Sequence, residues 1–287
     1  MASAASAAAA SAAPTALAYM DDTYAFDHSS AVRACVAVDG DAAATHAVEL
    51  ESTIVYPAGG GQPSDVGAMV SARGTARFEI SSAKASGGVV RHYGKFVDGD
   101  AAFEVGEVVR VTIDSALRVL HARVHSAGHA LDVAMIRVGL GPETLEPTKG
   151  QHFVEGAYVE YSGKIPPEHE LADSAKLMAA LDDAMATLIA ENSSSEAAEL
   201  AYEEAKNKCG GQLPSFITED MSPRVVTIVE NTPGCPCGGT HVKSVGEIEA
   251  FKMVGVRVKK GVTRLSYTIP GMKDWKALRS DRGCTGT

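Results

Sequence analysis

The sequence predicts an α+β protein: a small N-terminal β-barrel followed by a domain with helices packed on one face of an antiparallel sheet. Three observations carry this. From about Thr23 to Ile113, apolar residues alternate in short runs broken by glycine, without a strong helical period. From Ser115 the period changes, and Leu117, Leu120, Val124, Leu131, Met135 and Val138 mark one face of a long helix. Beyond it, strand-like and helix-like segments mix, as in sheets covered by helices.

The elements follow in order. Residues 1–19 form an Ala/Ser-rich tail with almost no large side chains, expected to be disordered. It lacks the arginines of a mitochondrial transit peptide and the Leu-rich core of a secretory signal, so cytoplasmic residence is expected. The barrel domain, 20–113, contains expected strands at Val32–Val38, His46–Leu50, Ser52–Tyr56, Ala76–Ile80, Val89–Tyr93 and Val108–Ile113. Turns are expected at Asp39-Gly40, Ser86-Gly87-Gly88 and Asp98-Gly99. The second domain, 114–270, opens with a helix over 115–138, capped by Asp114 or Ser115 and stopped by Gly139. A strand pair follows around 151–161, with Gly156 in its turn. Pro166-Pro167-Glu168 predicts the start of a helix running to Glu191. Ser193 with Glu196 reads as the capping box of a third helix ending near Lys208. Val225–Glu230, Val245–Val254 and Val262–Ile269 read as strands, and 271–287 as a basic tail.

With 287 residues, 45 % hydrophobic and 22 % charged, the chain can bury a full core without disulfides. Its five cysteines are odd in number and scattered, which argues against a secreted disulfide framework. No apolar run is long enough to cross a bilayer, so no membrane partner is expected. The net charge of −10 opposes indiscriminate nucleic-acid binding. Between Lys252 and Arg282, however, nine basic residues, including Lys259, Lys260, Arg264 and Arg279, face only Asp274 and Asp281. This stretch reads either as a solvated face or as a phosphate-contacting surface.

Two spaced pairs carry metal chemistry. His125 and His129 lie four apart on the long helix, so their imidazoles share a face one turn apart. The peptidase version of this pair has Glu after the first His, and here that position is Ser126. Far downstream, Cys237-Gly238-Gly239-Thr240-His241 places a thiol and an imidazole around two glycines. Together the pairs supply three histidines and one cysteine, a donor set suited to tetrahedral Zn²⁺. Two substitutes stay open: His121, one turn before His125, and Cys235, before Pro236.

These motifs resemble the freestanding alanyl-tRNA editing proteins, the AlaX family, and the editing domain of alanyl-tRNA synthetases. The resemblance extends to Tyr56-Pro57-Ala58-Gly59-Gly60-Gly61-Gln62 with Asp65 and Gly67, similar to the family's glycine-rich segment. It extends also to Lys149-Gly150-Gln151-His152-Phe153 with Val159-Glu160-Tyr161, similar to the strand pair after the histidine helix. The order of motifs covers about 20–270. Where this chain has Ser126 the family often has Thr, which keeps the hydroxyl. The editing domain of threonyl-tRNA synthetases shares the metal motif, but the Gly-Gly-Thr-His wording and the glycine-rich segment point to the alanyl branch. The length resembles the intermediate-length freestanding type.

The resemblance implies a zinc-dependent deacylase whose partner is mischarged tRNA(Ala), and whose reaction is hydrolysis of the Ser-tRNA(Ala) ester or the Gly-tRNA(Ala) ester. A second site of this kind is needed because a small apolar pocket rejects an added hydroxyl only about a hundredfold. Zinc would either activate water or anchor the substrate. Thr240, Ser126 and Gln62 are candidates for recognising the serine hydroxyl; alternatively Thr240 and Ser126 cap backbone groups and Gln62 braces its own loop. Lys149 and His152 are candidates for the tRNA end, or else lie on an exposed strand edge. Lys259, Lys260 and Arg264 are candidates for phosphate contacts. A non-catalytic, zinc-stabilised tRNA-binding module is the competing expectation.

Overall fold

Strict alternation builds the first half of the chain. In Val108–Ile113, Val109, Val111 and Ile113 are buried while Val108 and Arg110 are exposed, the period of a strand with one face on a core. The computed structural model describes residues 13–41, 44–97 and 102–276. The Ala/Ser tail up to residue 12, the Asp98-Gly99 turn, and Arg279, Arg282 and Cys284 lie outside the described residues.

The chain divides into two units, Met1–Ala58 with Ser64–Asp114, and Gly59–Pro63 with Ser115–Thr287. In the first, β1 (Ala16–Leu17) pairs in parallel with β4 (Ser52–Thr53), so the end of the expected disordered tail is ordered, with Thr15 and Tyr19 buried. The other strands are β2 (Asp27–Asp41), β3 (Ala44–Leu50), β5 (Gly67–Ser71), β6 (Arg77–Ser86), β7 (Val89–Phe96) and β8 (Val108–Ile113). They close into a barrel in the order β2-β3-β7-β6-β5-β8. Val48, Leu50, Met69, Phe78, Val90, Val109 and Val111 fill it. The expected barrel is therefore present, with three local corrections. Asp39 and Gly40 remain in β2, and Asp41 pairs with Ala44. The expected strand Ser52–Tyr56 stops at Thr53, although Ile54, Val55 and Tyr56 are buried. Strand β5 had no sequence signal, because only five residues separate Val66 from the turn at Ala72.

His92 sits in this barrel fully buried. Its Nδ1 lies 2.9 Å from the Val48 carbonyl and its Nε2 2.8 Å from Thr53 Oγ1. Nδ1 must donate, since a carbonyl only accepts. Burial, partly offset by the Val48 carbonyl, pushes the imidazole pKa from 6.5 to about 4. A base whose pKa is depressed in the fold contributes its full stability above the unfolded value. That contribution is lost as pH falls from about 6.5 to about 4. Over this window the wild type should lose on the order of 3 kcal/mol more unfolding free energy than His92→Asn. Denaturant titrations of the two proteins at each pH measure this; parallel declines would remove His92 as the cause.

In the second unit, α1 (Ser115–Arg137) has Leu120, Val124, Ala127 and Leu131 in its core. It ends as expected at Gly139, at φ +77°, where Gly139 N–H bonds to Ile136 and Leu140 N–H to Met135. Next come β9 (Glu146–Phe153), β10 (Gly156–Ser162), α2 (Ser174–Glu191), β11 (Glu196–Glu199), α3 (Tyr202–Lys208), β12 (Arg224–Thr227), β13 (Cys235–Pro236), β14 (Lys252–Lys259) and β15 (Val262–Thr268). An antiparallel sheet runs β14-β15-β10-β9, and a smaller one β11-β12-β13. Val159, Tyr161, Leu265 and Tyr267 point from the larger sheet into the core shared with α1 and α2.

Several expected boundaries move. Helix α2 starts at Ser174, because Asp173 caps it by accepting from the N–H groups of Ala175 and Lys176, while Pro166 to Ala172 forms turns. The expected capping box at Ser193 and Glu196 does not form. Ser193 Oγ instead accepts from Glu230 N–H, and Glu196 opens a strand paired with β12. The reciprocal box is at Ser244 and Glu247, at the head of a 3₁₀ turn over Val245–Ile248. The expected strand Val245–Val254 thus begins only at Lys252. Among the described residues, no helix is long and apolar enough to cross a membrane.

Candidate metal centre

The helical spacing of α1 stacks His125 on His129, with ring centroids 5.1 Å apart. The loop after β13 brings His241 to 4.6 Å from His125 and 5.0 Å from His129. Cys237 Sγ lies 3.5 Å from His125 Nε2 and 3.7 Å from His241 Nε2. One potential ligand atom from each of these four residues lies within 4.8 Å of the others, and neither His121 nor Cys235 joins the group. Tetrahedral zinc, with bonds of about 2.0–2.3 Å, requires ligand atoms roughly 3.3–3.6 Å apart. The separations of Cys237 from His125 and from His241 are at or near that spacing. His129 Nε2 is buried without a hydrogen-bond partner among the described residues, a cost that a bound cation would remove.

Gln62 organises one side of the cluster. It comes from the glycine-rich segment, whose neck is closed where Asp65 Oδ2 accepts from Tyr56 N–H at 2.6 Å. Thr240 N–H can only donate, so the Gln62 atom 3.1 Å from it is the amide oxygen. That oxygen also lies 2.8 Å from His125 Nδ1, which therefore carries the ring hydrogen. His125 Nε2 is left with its lone pair facing Cys237, the orientation that an outer partner imposes on a metal-binding imidazole. Gln62 Nε2 in turn donates to Thr240 Oγ1 at 2.9 Å. Gln62 is 1 % exposed and Thr240 fully buried.

Small residues let these groups approach. A Cβ on Gly239 would lie 2.2 Å from His125 Cε1, and one on Gly61 2.3 Å from the Gly150 carbonyl oxygen. Ser126 Oγ accepts from Val242 N–H at 3.0 Å, tying the loop to α1. Arg224, which the sequence reading passed over, donates from Nη1 to the carbonyls of Cys237 at 2.7 Å and Gly239 at 3.2 Å. Its position 13 residues before Cys237 carried no signal, since antiparallel pairing of β12 with β13 creates the contact.

Burial sets the protonation of the centre. It is the largest cause that holds His125 and His241 well below the ordinary imidazole value, with the neighbouring rings and Arg224 adding to it. Burial, then Arg224, lowers His129 to about 4. The rings are thus neutral and able to ligate near pH 7. Burial pushes the Cys237 thiol up, opposed by Gly239 N–H and Arg224; a cation would reverse that balance, because a coordinating thiol gives up its proton.

The remaining predicted residues divide between interior and surface. His152 is buried, stacked 4.3 Å from His125. Lys149 is exposed on β9, and Lys259 and Lys260 are exposed at the β14–β15 turn. Arg264 is bound by Glu160 at 2.7 Å and lies 3.9 Å over the Tyr158 ring. Strand register aligns Lys149, Glu160, Arg264 and Arg257 in one row across the larger sheet.

Fold and centre together define a barrel-plus-α+β protein with a three-histidine, one-cysteine group, His125 and His241 buried and His129 and Cys237 half-buried, that could hold a metal ion. Residues 224–266 match the family described as the threonyl and alanyl tRNA synthetase second additional domain. The alanyl-tRNA editing protein AlaX-M of Methanosarcina acetivorans is 29 % identical over 227 residues, 77 % of this chain and 88 % of its own length. Its counterpart in Methanosarcina mazei is 27 % identical over 224 residues, 77 % and 85 % of the two chains. The alanine–tRNA ligase of Korarchaeum cryptofilum is 30 % identical over 266 residues, 91 % of this chain but only 27 % of the ligase. The chain is a homologue of the alanyl-tRNA editing proteins, as its motifs indicated.

Proposed function

We propose that this protein is a zinc-dependent aminoacyl-tRNA deacylase that hydrolyses the ester of mischarged Ser-tRNA(Ala), with Gly-tRNA(Ala) as the second substrate. The observation that carries the reading is the convergence of His125, His129, Cys237 and His241, whose ligand atoms lie within 4.8 Å of one another, in a chain homologous to proteins named for alanyl-tRNA editing. Mixed imidazole and thiolate donors favour zinc over magnesium or calcium, which prefer oxygen. When bound, the ion supplies Lewis-acid stabilisation and a low-pKa water, or an anchor for the substrate.

The chain's own groups supply orientation and selectivity. Gln62 holds the tautomer of His125, and Ser126 holds the loop that carries Cys237 and His241. Thr240 Oγ1 accepts from Gln62 Nε2, so its own hydrogen remains for a substrate oxygen. A serine hydroxyl would satisfy it. The methyl of alanine would leave it unpaired in a buried site, the kind of mismatch that discriminates strongly. The cysteine pattern supports a reducing, cytoplasmic setting.

The purified protein, with its metal content measured, should release serine from Ser-tRNA(Ala) and spare Ala-tRNA(Ala). Equal cleavage of both would remove the selectivity argument, and tight tRNA binding without turnover would favour the non-catalytic module. The row Lys149–Arg264–Arg257 and the turn lysines are the proposed tRNA-contacting surface. Replacing Lys259 and Lys260 together by Glu should weaken tRNA binding and flatten the dependence of log K on log salt by about 1–2. An unchanged slope would return this turn to an ordinary solvated surface.

A further inference from the structure

The fold makes room for one imidazole at three separate places. A Cβ on Gly128 would lie 2.3 Å from His152 Cε1 and 2.7 Å from its Nδ1. One on Gly150 would lie 2.3 Å from His152 Nε2, and one on Gly61 3.3 Å from Cδ2. Gly128 lies inside α1, where glycine is the poorest helix former after proline. The chain therefore gives up helix propensity to admit this ring.

The ring is oriented as well as admitted. His152 Nδ1 lies 2.8 Å from Tyr267 Oη. The single hydroxyl hydrogen of Tyr267 goes to the Val124 carbonyl at 2.9 Å. Towards His152 the phenol oxygen thus accepts, and Nδ1 carries the ring hydrogen. Nε2 is left as an acceptor, and among the described residues no hydrogen bond reaches it. The ring stacks on His125 with planes 20° apart and lies 6.4 Å from His129. An apolar side chain would fill the space without needing Tyr267. What the imidazole adds is a fixed lone pair beside the cluster, below the glycine-rich turn whose Gly61 carbonyl accepts from His152 N–H at 2.7 Å.

We propose that His152 is a substrate-contacting residue, whose Nε2 accepts a hydrogen bond from the α-ammonium group of the esterified amino acid. The inference rests on the deacylase reading for its ligand class. It assigns His152 to the amino acid rather than to the tRNA end. Because serine, glycine and alanine all carry the ammonium, His152 contributes to binding all three equally. Thr240 contributes to telling serine from the other two.

The test uses the full-length, metal-loaded protein and two non-hydrolysable probes. One is seryl-3′-amino-3′-deoxyadenosine, with an amide in place of the ester; the other is its analogue lacking the α-amino group. His152→Asn keeps a donor near the Nδ1 position and removes the Nε2 acceptor. His152→Gln restores an acceptor near the Nε2 position. The Asn variant should bind the amino probe about tenfold more weakly and the des-amino probe within about twofold. The Gln variant should recover part of the loss, and both should retain metal. Equal weakening of both probes, or metal loss in both variants, overturns the proposal in favour of a packing role. Failure of the amino probe to bind the wild type overturns it together with the deacylase reading, and equal affinity of the wild type for the two probes overturns it alone. Probe binding with the expected pattern, but no cleavage of Ser-tRNA(Ala), would sink the deacylase reading and leave His152 as an ammonium contact.

Discussion

Cys237→Ala is expected to lose its metal and its deacylation while both units stay folded. Sγ is the atom that joins the loop pair to the helix pair, 3.5 Å from His125 Nε2 and 3.7 Å from His241 Nε2. The three remaining imidazoles are neutral, so no protein charge would compensate a divalent ion. Disturbing an outer partner alone typically costs 10–100-fold in metal affinity, and losing a ligand should exceed about a hundredfold. The fold should survive because the second unit's core is independent of the thiol: Leu131, Leu181, Leu188 and Leu265 are all fully buried. Metal analysis after dialysis and a thermal melt on one sample check both halves. Stoichiometric metal in the variant would remove Cys237 from the ligand set. In the wild type, affinity should fall as pH falls, because a proton competes for Sγ, whose pKa is raised by burial.

Gly61→Ala should be nearly as damaging, although Gly61 is not a ligand. Its φ is +77°, and a Cβ there would meet the Gly150 carbonyl oxygen at 2.3 Å and its carbon at 3.0 Å. The left-handed backbone alone costs a non-glycine residue about 1–2 kcal/mol, and the backbone clash can be relieved only by moving the turn. Moving it breaks the His152 N–H bond to Gly61 and pulls Gln62 from His125 and Thr240. Metal affinity should fall about 10–100-fold, and deacylation with it. Gly74→Ala is the control: its φ is +68° but nothing lies within 4 Å, so it meets backbone strain without touching the centre. If both variants bound metal like the wild type, Gln62 would be a brace for its own loop and nothing more.

Much of the centre was legible because its two halves are local. A four-residue spacing on a helix puts His125 and His129 on one face wherever that helix lies. The helix itself was legible from its apolar face and from Gly139, and the observed span Ser115–Arg137 differs by one residue from the expected one. The barrel strands were legible where the period of two runs long enough, as in Val108–Ile113. Strand β11 was not legible. Glu196–Glu199 carries acidic and alanine residues that suit a helix, and only pairing with β12 makes it extended. The start of α2 was misplaced because proline marks the first turn of many helices, while Asp173, which satisfies the free N–H groups, lies seven residues later.

By itself the sequence determined which residues could bind a metal, the order of barrel and α+β unit, and the motifs that tie the chain to its homologues. These depend on spacing, periodicity and residue chemistry, which are local properties of the chain. The tertiary structure alone decided that the helix pair and loop pair share one point, to the exclusion of His121 and Cys235. It also decided that Gln62 sets the tautomer of His125 from 63 residues away, and that the ring of His152, although on the edge strand β9, is buried and not exposed. Those outcomes depend on which backbones approach closely enough to touch, and glycines 61, 128, 150 and 239 permit that approach only once the elements have packed.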